Sequence, residues 1–204
     1  MEIERETNFA QLLGTVEEAP QFSHRSFGEQ FYEMTLAVMR RSGYQDQIPV
    51  IISERLMLKG QPREGDRVSV TGQIRTYNKE TEGKNRLIIT VFAREFRPAE
   101  SEEIYDVNQI QLDGFLCKDP VRRTSPLGRE ICDLMVAVNR MYNKSDYIPC
   151  IAWGRNAAYG GILSVGDPIC LTGRIQSREY KKRDEEGNVE LRVAYEVSVL
   201  KIED

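Results

Sequence analysis

Histidine is almost absent from this sequence: His24 is the only one in 204 residues. His24 stands in a Ser/Arg-rich stretch expected as a loop, with no cysteine near it in sequence, which argues against a His-based catalytic dyad and against a zinc site, where ligands cluster. Cysteine is scarce as well. Cys117, Cys132, Cys150 and Cys170 are scattered through the second half without a Cys-x-x-Cys pair. Cys132, Cys150 and Cys170 fall inside apolar runs, where a thiol acts as a small core side chain. Neither a metal nor a disulfide framework is expected. No run reaches the roughly 20 apolar residues of a membrane-spanning helix. The opening MEIERETNFAQLLG alternates charge with short apolar stretches and has no signal-peptide core, so a soluble, cytoplasmic protein is expected. P-loop, GxGxxG and HExxH patterns are missing, and the carboxylates are dispersed through loops and linkers. Neither a cofactor nor enzymatic activity is expected.

What is present is an ordinary globular composition, 40% hydrophobic and 29% charged, with 32 acidic against 28 basic residues and a net charge of −4. A uniformly basic nucleic-acid binder would look different. Net charge does not locate charges, however, and a basic groove can coexist with an acidic remainder.

The length suits two domains of about 100 residues each, and the sequence is written twice. Shifted by 100, Asn8-x-x-x-Leu12-x-Gly14 falls on Asn108-x-x-x-Leu112-x-Gly114. Gly28 falls on Gly128, Ala37-Val38 on Ala137-Val138, Arg40 on Arg140 and Ile48-Pro49 on Ile148-Pro149. One residue of slippage aligns Gly65-Asp66 with Gly166-Asp167 and Thr71-Gly72 with Thr172-Gly173. Two copies of domain size indicate a duplicated module and not a solenoid. The modules are expected at residues 1–98 and 106–204. The short polar linker at 99–105 lies in the proline-containing stretch Arg97-Pro98-Ala99-Glu100-Ser101-Glu102-Glu103.

Each copy reads as β. In the second, Val, Ile and Tyr enrichment with Gly and Pro punctuation predicts strands at Ile110–Phe115, Ile131–Tyr142, Tyr147–Trp153, Ile169–Tyr180 and Val189–Leu200. A turn region separates the first two, and a short helix is expected within Asn156–Ser164, weakened by Gly160-Gly161. In the first copy, Ser53–Gly65 occupies the helical slot. Five strands with one short helix between the third and fourth is the order of the OB-fold barrel. The fold expected is therefore all-β, two tandem five-stranded OB-fold barrels, each with one short helix.

The second copy carries Asn108-x-Ile110-x-Leu112-x-Gly114, Lys118-Asp119-Pro120, Val121 to Gly128, Ala137-Val138-Asn139-Arg140, Asp146 to Arg155, Gly166-Asp167 and Thr172 to Tyr180. In this order and spacing these motifs resemble the bacterial single-stranded DNA-binding protein family. The resemblance implies a stacking platform for DNA bases at Tyr142, Tyr147, Trp153 and Tyr180. Tyr147 and Trp153 are six residues apart in one expected strand, so both point to the same face. Every base has a π-face, so stacking needs no particular sequence. Phosphate contacts would come from Arg122, Arg123, Arg140, Arg155, Arg174, Arg178 and the run Lys181-Lys182-Arg183. A tip continuing into Asp184-Glu185-Glu186 offsets that run locally.

The first copy keeps the scaffold but departs from the platform, with Ser42, Gln47 and Ser53 where the second has Tyr142, Tyr147 and Trp153. Arg40, Arg41, Tyr44, Arg75, Tyr77, Lys84 and Arg86 remain as candidate contacts. Either this module binds DNA more weakly, or it has become an assembly module. The resemblance also implies four barrels per assembly, reached here by a homodimer, with a monomeric pseudo-dimer as the other arrangement. A prokaryotic or phage source and a nucleoid-associated location would follow. Replication proteins are possible partners, although the chain stops at Lys201-Ile202-Glu203-Asp204 without the family's acidic tail. The competing class is an OB-fold accessory factor of a primosome or replication complex with weak DNA or RNA binding.

Overall fold

The computed structural model of the chain describes residues 6–81, 84–183 and 186–203, leaving aside the side chains at 81, 84 and 85. The first half contains β1 (Asn8–Ser26), β2 (Glu29–Met39), β3 (Gln45–Ser53), a 3-10 turn (Glu54–Met57), β4 (Arg67–Thr81) and β5 (Lys84–Pro98). The second contains β6 (Val107–Leu116), β7 (Val121–Thr124), β8 (Glu130–Arg140), β9 (Lys144–Trp153), α1 (Gly154–Gly160), β10 (Pro168–Arg183) and β11 (Val189–Glu203). Alternation sorts the side chains: along β3, Asp46, Ile48, Val50 and Ile52 are buried while Gln45 and Gln47 face out.

Each half closes on itself. β1, β2, β3, β5 and β4 pair in that cyclic order, and so do β6, β8, β9, β11 and β10. The third-to-fifth contacts, β3 with β5 and β9 with β11, are parallel and the others antiparallel. Closure removes long exposed edges. The repeated Gly of the Asn-Leu-Gly motif allows it: a Cβ at Gly14 would meet the Ala37 carbonyl oxygen at 2.5 Å, and one at Gly114 the Ala137 carbonyl oxygen at 2.3 Å. The repeated Asn acts as a strand extension. Asn8 accepts from the Ile74 N–H (2.8 Å) and donates to the Ile74 carbonyl (2.9 Å), and Asn108 does the same to Ile175 at 2.9 and 2.7 Å.

The two barrels share one sheet. β1 runs antiparallel to β6, from Asn8 opposite Leu112 to Leu13 opposite Val107. Because the copies are offset by 100, this register relates them by a local two-fold that passes at Ala10 and Ile110. The linker is held against the first barrel, where Arg97 pairs bidentately with Glu103 and Arg67 pairs with Asp106.

Several local expectations shift. The strand foreseen through Tyr142 ends at Arg140, because Tyr142 (φ 64°) and Asn143 (φ 53°) form a left-handed turn. The helix starts two residues earlier than expected, directly after Trp153, and ends at Gly160. In the first copy its slot holds only the 3-10 turn at Glu54–Met57. Val121–Thr124, foreseen as turn, forms a short strand against β8. His24, expected in a loop, lies on β1 opposite Phe31. Cys132 and Cys150 are buried core residues, and Cys170 is half-buried. Among the described residues, no helix is long and apolar enough to cross a membrane.

Candidate nucleic-acid interface

The outer face of the second barrel is assembled by strand register. Trp153 lies opposite Ile131, which lies opposite Arg123; Tyr147 lies opposite Ala137. Side chains opposite one another across neighbouring strands share a face. The small Ala137 leaves the Tyr147 ring uncovered. Continuing around the barrel, Ile151 neighbours Ser198, which lies opposite Arg174, and Tyr180 lies opposite Arg192. Trp153, Tyr147 and Tyr142 are exposed to 37%, 52% and 90%, so none is spent on the core. Tyr142 sits at the tip of the β8–β9 hairpin, beyond the sheet surface. The Arg178 guanidinium lies 5.8 Å from the centre of the half-buried Tyr180 ring, within cation–π range.

The cations divide into three groups. Arg174 has a buried Nε without a hydrogen-bond partner among the described residues. Arg155 on α1, Arg41, Lys181 and Lys182 are exposed, and the tip residues 184–185 lie outside the described residues. In the second group, arginines on the surface face carboxylates: Arg123 with Asp133 at 2.6 Å, Arg122 with Glu130 at 3.0 Å and Arg178 with Glu196 at 3.6 Å. Hydrogen bonding to Asp133 holds the Arg123 pKa above its ordinary value. Exposed pairs of this kind are weak and open to competition by another anion. Arg122 lies opposite the core residue Cys132, so it points away from the Trp153 face.

The third group couples the barrels. Asp46 on β3 is fully buried; it accepts from Arg40 (2.5 and 2.6 Å) and, across the module boundary, from the Ser177 N–H (2.9 Å) and hydroxyl (3.1 Å). Hydrogen bonding to Asp46 raises the Arg40 pKa. Reciprocally, the fully buried Asp146 on β9 accepts from the Thr76 N–H (2.8 Å) and lies 3.2 Å from Arg140 and 3.4 Å from Arg75. Arg86 donates to the Val193 carbonyl, again between barrels. Arg140, expected at phosphates, and Arg40, Arg75 and Arg86, candidate contacts of the first copy, each have a partner inside the protein, with Arg75 and Arg140 sharing Asp146. The Lys84 side chain lies outside the described residues.

In the first barrel, Gln47 and Ser53 occupy the register positions of Tyr147 and Trp153, opposite Ala37 and Phe31. Tyr77 is half-exposed on β4, with its pKa raised by burial and by Glu33. Tyr44 is covered by Arg40, 4.4 Å from its ring centre. Sequence reasoning missed an aromatic cluster here, His24 stacked on Phe31 (5.0 Å, 13°) and Phe31 tilted against Phe92 (5.6 Å, 41°). It also missed the roles of Asp46 and Asp146, for which the only signal was their recurrence at a spacing of 100 beside Ile-Pro.

Residues 107–203 match the model of the Single-strand binding protein family. A single-stranded DNA-binding protein of Clostridium tetani (strain Massachusetts / E88) is 34% identical over 85 residues, covering 38% of this chain and 59% of that protein. Single-stranded DNA-binding protein 1 of Staphylococcus aureus (strain COL) is also 34% identical over 85 residues, covering 38% of this chain and 51% of its own length. This chain thus spans only a little over half the length of these two relatives. The crystal structure of the wild-type single-stranded DNA binding protein from Thermus aquaticus superposes with a TM-score of 0.73 at 24% identity, over 96% of this chain and 91% of that one. This likeness is one of fold.

Proposed function

From the match of residues 107–203 to the Single-strand binding protein family, we propose that this chain binds single-stranded DNA on the outer face of its second barrel, largely without sequence preference. Bases stack on Trp153, Tyr147 and Tyr180, with Tyr142 reaching over the strand from its turn. Arg174, Arg178, Lys181 and Lys182 take the phosphates, with Arg123 and Arg155 at the margins. The chemistry is binding and not catalysis, and its use is to protect unpaired strands during replication, recombination or repair. The observation that carries the reading is the exposure of Trp153 and Tyr147 on one face of β9, with Arg174 on the same sheet across Ser198 from Ile151, its buried Nε without a hydrogen-bond partner among the described residues. The internal two-fold already supplies a barrel pair within one chain, so a homodimer would present four barrels.

Titration with oligo(dT), oligo(U) and duplex DNA tests this through Trp153, the only tryptophan. Oligo(dT) should quench its fluorescence strongly and duplex weakly, and affinity should fall as salt rises. Replacing Trp153 and Tyr147 by Ala should weaken binding of a labelled oligo(dT) by at least about 25-fold, at roughly 1–3 kcal/mol per stacked base. Unchanged affinity in that double variant would overturn the proposal.

A further inference from the structure

The first barrel has lost the aromatic residues at the Tyr147 and Trp153 positions, yet its outer face carries others one strand away. Phe31 stands where Ile131 stands in the second barrel, opposite Ser53 as Ile131 is opposite Trp153. Phe92 stands where Ser198 stands, next to Ile51 as Ser198 is next to Ile151. Phe31 is buried and backs both the exposed His24 ring and Phe92. His24 and Phe92, with the half-exposed Tyr77, line a cleft of about 330 Å³ that also takes in the buried Ile51 and Thr90, while Phe31 lies behind them. That volume lies at the small end of the range for ligand pockets. Three aromatic rings line the cleft, and the charged groups that line it are Arg75 and, from the second barrel, Arg140.

The charges at the cleft do not cancel. At the related site, where Asp46 meets Ser177 of the second barrel, Arg40 faces Asp46 one to one, both within the first barrel. On this side, Arg75 and Arg140 share the single carboxylate of Asp146. Two guanidiniums against one carboxylate leave one positive charge at the edge of the aromatic cleft. Burial pushes the Arg75 pKa down; Asp146 opposes that shift, and the neighbouring Arg140 and Arg94 add to it, so Arg75 sits in partly desolvated surroundings. Arg94 is itself paired with Glu6. Glu33 on β2, opposite Ile51 and within electrostatic reach of Tyr77, is an anion bordering the cleft, exposed and so screened by solvent.

Aromatic walls with one uncompensated cation suit a planar π-system carrying a single negative charge. We propose that this cleft is a second nucleotide subsite: a base of the single strand stacks against His24, Tyr77 and Phe92, and its phosphate sits on Arg75 and Arg140. The first barrel is then a binding module with a relocated aromatic surface, and the strand crosses the module boundary at Asp146. The inference rests on the proposed single-stranded DNA binding, and the two fail separately.

His24, as the only histidine, gives isolated ring C–H signals in a proton NMR spectrum. Short oligo(dT) should move these signals upfield by ring-current shielding, in the wild type and also, at higher oligonucleotide concentration, in the Trp153→Ala/Tyr147→Ala double variant. Tyr77→Ser, a change at a half-exposed position that the fold should tolerate, should weaken the His24-reported affinity about tenfold while Trp153 quenching persists. Quenching of Trp153 by oligo(dT) with His24 signals unmoved at saturation would overturn the subsite and leave the second-barrel platform standing. A His24 shift insensitive to Tyr77→Ser would overturn the cleft as its origin.

Discussion

Replacing Asp46 by Ala should destabilise the barrel it does not belong to. Its carboxylate, on β3 of the first barrel, is fully buried and takes two hydrogen bonds from Arg40 and two from Ser177 on β10 of the second. Removal leaves the Arg40 guanidinium, whose side chain is 18% exposed, without a counter-charge and leaves the Ser177 N–H and hydroxyl without an acceptor. Breaking one side of a buried pair costs about 3–5 kcal/mol, and the residual hydration of Arg40 favours the lower end, about 3. With a urea m-value of about 3 kcal/mol/M for both barrels unfolding together, the midpoint should fall by about 1 M. Trp153 fluorescence is the assay, because the indole lies in the second barrel. If Ser177 alone transmits the loss, the shift should shrink to that of unsatisfied hydrogen-bond donors, about 1–3 kcal/mol. A cycle with Ser177→Ala should give a coupling of about 1.5 kcal/mol, as for a hydroxyl bonded to a charged acceptor. An unmoved Trp153 midpoint in Asp46→Ala would refute the mechanical coupling of the barrels through this carboxylate.

Two further outcomes follow from the geometry. Tyr142 pairs a left-handed φ of 64° with 90% exposure, a conformation that costs a non-glycine residue roughly 1 kcal/mol; Tyr142→Gly should therefore keep or raise the melting temperature while weakening oligo(dT) binding about fivefold through lost stacking, and unchanged affinity would remove Tyr142 from the interface. Glu103 is held at a pKa of about 2, chiefly by its hydrogen bonds from Arg97 and then by the Glu100 N–H. A depressed folded-state pKa contributes order above the ordinary carboxylate value, and the contribution is lost as pH falls toward about 2. Pepsin cleavage at the exposed Ile104-Tyr105 should thus be faster in Glu103→Gln than in the wild type near pH 5, with the difference vanishing near pH 2.

The fold was legible because its signals are local. Period-two alternation, the Asn-Leu-Gly repeat and the Gly/Pro punctuation recur at a fixed offset, and each corresponds to a contact inside one barrel. The placement of Trp153 and Tyr147 on one face followed from their even spacing alone. What escaped depends on how the barrels meet. Arg75 finds Asp146 across 71 residues and Asp46 finds Ser177 across 131, and no periodicity encodes such partners. The turn at Tyr142-Asn143 carries neither Gly nor Pro, so the strand pattern seemed to continue through it. The Ser-His-Arg stretch around His24 lacks apolar alternation because that end of β1 is exposed on both faces, and it read as loop.

The same pairing resolves the acidic net charge. Arg40, Arg67, Arg75, Arg97 and Arg140 hold the modules and the linker together by facing carboxylates. Apart from the one charge in excess at Asp146, they therefore contribute little to an external field, and a charge count over the sequence overstates both the cations available to a ligand and the anions opposing it. Under the proposed binding, a strand meets cations that have no ion pair among the described residues, Arg174, Arg155, Lys181 and Lys182 on the second barrel among them, and the single excess charge that Arg75 and Arg140 leave beside Asp146. With many of its arginines paired inside the protein, the proposed binding would draw much of its affinity from stacking, which ties it to a few rings: Trp153 and Tyr147 in the second barrel, and Phe92 and Tyr77 in the first.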